Sequence, residues 1–177
     1  MPRLKSNTSM CSVARSLELL GERWTLLIVR EAFFGTRRFD DFQAHLGISR
    51  NVLAERLAKL VHAGILAQVP LREQALRNGY VLTQAGYDLV PTLVALLQWG
   101  DRWMQTPDTV PVRIVDRKTG RPIAPVTVRS ETGKPLALKD LGWLPGPGAD
   151  HPSIAPLVRA YTRQREQAAA APRKEPA

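Results

Sequence analysis

Proline placement is the strongest constraint on what this chain can build. Of its 14 prolines, three (Pro2, Pro70 and Pro91) fall within residues 1–106 and eleven within residues 107–177. Proline fixes φ, lacks an amide hydrogen and breaks helix interiors, so long helices belong to the first part. A boundary at Thr106–Pro107 follows. Charge does not divide there. Residues 1–106 carry 13 basic and 9 acidic side chains and the remainder 12 and 7, so both parts contribute to the net charge of +9. A chain this basic selects for an anionic partner, nucleic acid foremost and an acidic membrane surface second.

Composition removes other classes. The 177 residues can bury a core without disulfide or metal staples. Cys11 is the one cysteine, which excludes an internal disulfide and a multi-cysteine zinc site. No apolar run approaches the ~20 residues of a membrane span, and Met1–Met10 lacks the apolar core of a signal peptide. The expectation is a soluble cytoplasmic protein with no membrane partner, no metal and no other cofactor. An enzyme would need a different constellation. His45, His62 and His151 are scattered, and no phosphate-binding glycine loop, nucleophile elbow or metal-ligand spacing accompanies them.

Within residues 1–106 helical spacing dominates. Val13, Leu17 and Leu20 share a face of Ser12–Leu20, and after Gly21 a second helix spans Trp24–Phe34, closed by Gly35. Phe39, Phe42 and Leu46 line one side of Phe39–Leu46, which Gly47 stops. Ser49 then reads as the N-cap of Arg50–Ala63, with Leu53, Leu57, Leu60 and Val61 inward and Gly64 in the C′ position. The period next becomes strand-like in Ile65–Leu71 and Tyr80–Leu82, joined by a polar loop that closes on a turn-forming Asn78-Gly79 pair. Thr83 caps a long helix to about Met104, in which Pro91 should bend the axis or remove a hydrogen bond. The fold class is mainly α with a small β wing: a winged helix-turn-helix domain followed by a small two-hairpin tail.

The functional logic runs through shape. In a helix-turn-helix the second helix enters the ~12 Å major groove while the first crosses the backbone. Projected as a helix, Arg50–Ala63 sets Asn51, Glu55, Ala58, Lys59 and His62 opposite the core, with Ala54 at the flank. The N-terminal members are best placed for base edges: Arg50 for guanine, Asn51 for adenine, Ala54 against a thymine methyl. Ser49, Glu55 and Lys59 complete the DNA-facing set. Arg37 and Arg38 before the motif, and Arg72 and Arg77 on the wing, are phosphate or minor-groove candidates that position without reading sequence. An ordinary solvated helix face, with the wing arginines as loop solubilisers, stays open as the plainer reading.

Here the residues resemble a family. Leu19-Leu20-Gly21-Glu22-Arg23-Trp24-Thr25-Leu26-Leu27-Ile28 and Gly35-Thr36-Arg37-Arg38-Phe39-Asp40-Asp41-Phe42 are similar to the opening segments of HxlR-type winged helix-turn-helix regulators, relatives of the MarR group. Leu46-Gly47-Ile48-Ser49, Leu53, Arg56-Leu57, Leu60 and Gly64-Ile65-Leu66 resemble their recognition-helix region. Tyr80-Val81-Leu82-Thr83-Gln84-Ala85-Gly86 and Trp99-Gly100 resemble their wing exit and last helix. The resemblance covers roughly Cys11–Trp103 and implies a homodimeric bacterial transcription factor. One departure stands in the wing, where Ala75-Leu76 occupies the place of the family's usual proline before Arg77.

The last helix of this part supports dimerisation by itself. Leu89, Leu93, Leu96, Leu97 and Gly100 form a stripe that Val90, Val94 and Trp103 widen, an arc broader than one domain face needs. A core helix is the alternative. The resemblance implies that Val13 and Leu17 of the first helix join the interface. Twofold symmetry then sets two recognition helices ~34 Å apart on a palindromic operator. Cys11 precedes the first helix, where the resemblance implies a redox- or electrophile-sensing role; helix N-termini favour thiolates, and Arg15 lies close in sequence. Trp24, Phe33, Leu97, Trp99 and Trp103 are candidates to line a pocket for a small aromatic effector, with core packing as their alternative.

Beyond Pro107 the chain repeats itself. Val115-Asp116-Arg117-Lys118-Thr119-Gly120-Arg121-Pro122-Ile123 echoes Val128-Arg129-Ser130-Glu131-Thr132-Gly133-Lys134-Pro135-Leu136. Each copy reads as a hairpin around a Thr-Gly-basic turn. Residues 107–150 are thus similar to a zinc ribbon without its cysteines, docked on the first part because a hairpin pair is marginal alone. Residues 151–177 hold a short helix within Ile154–Ala171 and a frayed Ala168–Ala177.

The combined expectation is a dimeric regulator, a repressor on a palindromic operator, released by a small-molecule or redox signal. Its double-stranded DNA partner has two rivals: a protein-interaction module without DNA, and a basic RNA-binding protein, disfavoured by few exposed stacking aromatics. Since residues 107–177 hold +5 of the +9, their deletion should flatten the salt dependence of DNA binding without changing the preferred site. Binding isotherms at several salt concentrations check this, an unchanged slope refuting it.

Overall fold

Successive helices and their turns converge on one set of side chains. Ile28, Val29, Phe42, Leu53, Leu57, Leu60 and Leu66 are each at most 1% exposed. The computed structural model describes residues 10–71 and 78–170, the last three by backbone alone. Helix α1 spans Ser12–Leu20, α2 Thr25–Phe33, α3 Phe39–Leu46 and α4 Arg50–His62. Strands β1 (Leu66–Pro70) and β2 (Asn78–Leu82) follow, then α5 (Gln84–Tyr87), α6 (Val90–Met104) and α7 (Ala155–Ala170). Helix α2 is the hub, touching α1, α3, α4, α6 and β2.

Glycine stops two of these helices as the spacing requires. Gly47 (φ 61°) ends α3 and Gly64 (φ 67°) follows α4, both in the left-handed region that a side chain disfavours. The Ile65 N–H reaches back to the Leu60 carbonyl at 2.9 Å, closing the end of α4 in Schellman fashion. Ser49 occupies the N-cap of α4 with extended backbone, yet its side chain makes no cap hydrogen bond.

The wing is an antiparallel hairpin with Leu66 opposite Leu82 and Val69 opposite Gly79. The turn expected at Asn78-Gly79 is strand instead. Asn78 pairs with Pro70, and Gly79 is not among the glycines of positive φ that a tight two-residue turn needs. Gly79 answers a need for close approach. A Cβ there would lie 2.6 Å from Leu71 Cδ2 and 3.2 Å from the Arg37 carbonyl oxygen, which accepts the Tyr80 N–H at 2.8 Å. That bond ties β2 to the segment just before α3. The expected wing arginines Arg72 and Arg77, and Ala75-Leu76, lie outside the described residues.

The single long helix expected after Thr83 is two helices. Thr83 caps only α5, its Oγ1 accepting the Gly86 N–H at 3.3 Å. Pro91 then stands in the first turn of α6, where its missing N–H costs nothing, so it starts a helix and bends none. In the tail, the two repeats fold into turns with Gly120 (φ 66°) and Gly133 (φ 81°) at their apices. Pairing is confined to single bridges, Val115 with Pro122 and Arg129 with Pro135, each flanked by two backbone hydrogen bonds, so each proline stands at a non-hydrogen-bonded pair where no N–H is needed. Gln98 of α6 holds this stretch, donating to the Ala124 carbonyl at 3.2 Å and accepting the Val126 N–H at 2.7 Å. Helix α7 has 16 residues; Pro156 falls in its first turn and no proline follows before Pro172. Among the described residues no helix is long and apolar enough to cross a membrane.

Gly86 packs α5 onto the start of the wing: a Cβ there would meet the Ile65 carbonyl oxygen at 2.4 Å. Backbone would have to move, so Gly86→Ala should destabilise by roughly 1–3 kcal/mol. A lowered urea midpoint at unchanged slope would show this, and a wild-type midpoint would refute it.

Candidate nucleic-acid interface

The side chains of α4 divide cleanly. Leu53, Leu57 and Leu60 are buried, while Ser49, Arg50, Asn51, Ala54, Glu55, Ala58 and His62 are exposed. Arg50 is steadied without being consumed. Its guanidinium lies 4.9 Å from the Phe39 ring and 3.9 Å from Asp40 Oδ1, with the side chain 72% exposed. Stacking and a loose surface ion pair orient a cation at little energetic cost to its availability.

Arg37 and Arg38 are exposed in the segment that β2 holds in place. Arg38, Phe39, Asp40 and Arg50 join Leu71 and Asn78 of the wing around a recess of about 480 Å³. The structure thus brings Arg38, the first residue of α4 and the base of the wing to one concave, positively charged surface. A major-groove helix with flanking phosphate contacts requires that juxtaposition.

Lys59 turns toward the domain: its Nζ lies 2.5 Å from Glu22 Oε1 and 3.3 Å from the Glu18 carbonyl oxygen. Lys59 sits nearer the C-terminal end of α4, within reach of the α1–α2 turn. Arg56 pairs with Glu22 Oε2 and with Glu55 Oε1 at 2.7 Å, so Glu55 is also engaged within its own helix. Glu22 thereby fastens α4 to the turn before α2. The hydrogen bond from Lys59, with the charges of Arg56 and Lys59, outweighs partial burial and holds the Glu22 carboxyl below the ordinary value.

Glu31 fastens α3. It is 8% exposed. Arg30 Nη2 donates to Oε1 at 2.7 Å, Thr36 Oγ1 donates to Oε2 at 3.2 Å, and His45 Nδ1 lies 2.9 Å from Oε2. Burial pushes its pKa up, but the bonds from Arg30, His45 and Thr36 more than offset this and the net shift is downward. Sequence periodicity misses Glu22 and Glu31, since neither departs from the charge frequency of a solvated helix. The one available clue is the Arg30-Glu31 pair inside an otherwise apolar run, Leu26–Phe34.

The apolar candidates separate too. Val13, Leu17, Leu96, Trp99, Trp103 and Met104 stand exposed on α1 and α6. Leu89 and Leu93, expected at a dimer interface, pack against this chain's own core. Of the five effector-pocket candidates, Phe33 and Leu97 line a cavity of about 350 Å³ between α2 and α6, beside Leu93, Leu96 and Gly100. Trp24 packs on the core instead. Trp99 and Trp103 point to solvent, 55% and 67% exposed, so neither lines it. Helical spacing groups these residues on one arc but cannot tell its rim from its floor. Cys11 occupies the N-cap of α1, partly buried.

The family model described as HxlR-like helix-turn-helix matches residues 19–108. An uncharacterized HTH-type transcriptional regulator of Mycobacterium tuberculosis is 42% identical over 137 residues, 77% of this chain and 87% of that protein. The HTH-type transcriptional regulator YodB of Bacillus subtilis is 31% identical over 105 residues, 59% of this chain and 94% of that one. The crystal structure of PA1607, a candidate transcription factor, superposes with a TM-score of 0.71 at 42% identity, covering 77% of this chain and 96% of that one. A match of 137 residues is longer than residues 1–106, so the likeness continues into the proline-rich tail.

Both depressed carboxyls favour their ionised forms in the folded state, so their stabilisation is complete above the ordinary value of 4.5. It is lost as pH falls through their lowered values. Glu31→Gln should therefore lower the melting temperature at neutral pH and make its decline in acid shallower. Melting curves from about pH 7 to pH 3 test this; variant and wild-type profiles that run parallel would refute it.

Proposed function

This chain belongs to the HxlR-like helix-turn-helix family of transcriptional regulators, and on that premise we propose that it is a homodimeric repressor of a palindromic operator. The observation that carries the reading is the recess where Arg38, Arg50 and the wing base meet beside the exposed Asn51 and Ala54. Arg50 and Asn51 read base edges; Arg37 and Arg38 hold phosphates on either side. A second copy covers the exposed apolar side chains of α1 and α6, Val13, Leu17, Leu96, Trp99 and Trp103, since exposed apolar surface of this kind marks interaction sites. Twofold pairing then presents two recognition helices to successive major grooves. Release follows from a signal that changes the angle between the two lobes, either a small molecule between α2 and α6 or oxidation at Cys11.

Selection of bound fragments from genomic DNA tests the reading. A single palindrome with steep salt dependence is the expected result, and equal weak binding to every duplex overturns it. On the selected site, Asn51→Ala should cost about 1–3 kcal/mol and relax preference at one base pair per half-site, whereas Arg38→Ala should weaken all sequences alike and reduce the salt slope by about 1. For the redox route, Cys11→Ser should abolish any loss of operator binding on diamide treatment while leaving affinity intact; an unchanged response removes Cys11 from the mechanism.

A further inference from the structure

Resting on the regulator reading above, we propose that the cavity between α2 and α6 binds a small apolar carboxylate, and that Arg30 and Glu31 transmit its occupancy to the helix-turn-helix. The cavity of about 350 Å³ is walled by Leu26, Phe33, Phe34 and Leu97, with Pro111 and Ile114 of the tail closing it. That is the size and character of a small-molecule site. None of the described DNA-facing candidates lines it.

Among the described residues two charged side chains line the cavity, Arg30 and Asp101. Arginine carries five N–H donors in a planar fork. Arg30 gives one from Nη2 to Glu31 Oε1 at 2.7 Å and keeps capacity for a second acceptor. A flat apolar body bearing a carboxylate satisfies both the wall and the fork. Asp101 alone would select an ammonium instead, so the anionic and cationic probes of one shape decide between the two charged residues.

Transmission follows from how Glu31 is held. It is a buried carboxylate whose donors come from α2 itself, from Thr36 in the next turn and from His45 in the last turn of α3. A ligand carboxylate drawn to Arg30 shares that guanidinium and weakens its bond to Glu31. The Glu31 carboxylate then leans on Thr36 and His45, which biases where α3, and α4 packed against it, sit relative to α2. Ligand binding and operator binding are thereby coupled through one carboxylate, and the coupling is reciprocal.

The test uses the full chain and three probes of one shape: 1-naphthoate, neutral 1-naphthalenemethanol and cationic 1-naphthylmethylamine. Calorimetry should show naphthoate preferred by at least about tenfold. Arg30→Gln should erase that preference while still binding naphthalenemethanol, which shows the variant cavity intact; Leu97→Trp should fill the cavity and remove all three. With the selected operator fragment, bound naphthoate should lower wild-type affinity at least about fivefold, and Glu31→Gln should bind naphthoate without that response. The proposal is overturned if naphthoate does not bind at about 1 mM, as when side chains of a second copy fill the cavity. It is equally overturned if the amine is preferred, or if Arg30→Gln keeps the preference. Calorimetry needs no DNA, so the two readings fail separately. Naphthoate binding without operator selection refutes the regulator and leaves the site; an operator indifferent to bound naphthoate refutes the relay.

Discussion

Glu31 is the constraint on which the arrangement of the DNA-binding half depends. A carboxylate 8% exposed costs several kcal/mol to bury unless its oxygens are matched by donors. Its donors sit on α2, on the following turn and at the far end of α3. Of these, the contact with His45 reaches across to α3, so satisfying the charge restrains how α3 sits on α2. Glu22 makes the corresponding tie to α4 through Arg56 and Lys59. That network is more exposed and correspondingly weaker per pair, but it acts on the recognition helix directly. The two acids bracket the helix-turn-helix and present it as a unit.

What lies outside this unit is arranged by proline and by exposed apolar surface. Pro91 starts α6 and lets it run to Met104, so that one helix carries core residues on one side and Leu96, Trp99 and Trp103 on the other. Beyond Pro107, closely spaced prolines leave two glycine-centred turns and little ladder. Such a stretch buries almost nothing of its own, and it gains its position from contacts to α6 such as Gln98. The tail therefore roofs the apolar cavity through Pro111 and Ile114, and does not form an independent core.

The helices were legible because their evidence is local. Glycine at a left-handed position, an extended Ser49 and apolar residues three and four apart are properties of neighbouring residues, and Gly47, Gly64, Leu53, Leu57 and Leu60 stand where those rules put them. Asn78-Gly79 and Thr83–Met104 misled for a related reason. An Asn-Gly pair favours a turn only where nothing else claims the glycine, and here the Arg37 carbonyl and Leu71 claim it. Pro91 reads as an interruption only if the helix begins before it.

Read by itself, the chain determined which side of α4 is buried, where α3 and α4 stop and, through ordered motifs, which family it joins. Those follow from residue type, spacing and charge, all additive along the sequence. Tertiary structure alone decided that Lys59 answers Glu22 across 37 residues, that His45 answers Glu31 across 14, and that Phe33 and Leu97 face a cavity while Trp99 faces water. Each of these depends on the angle between two elements, and no single segment encodes an angle. Where prolines are few the chain makes its own core, and where they crowd it takes its footing on α6.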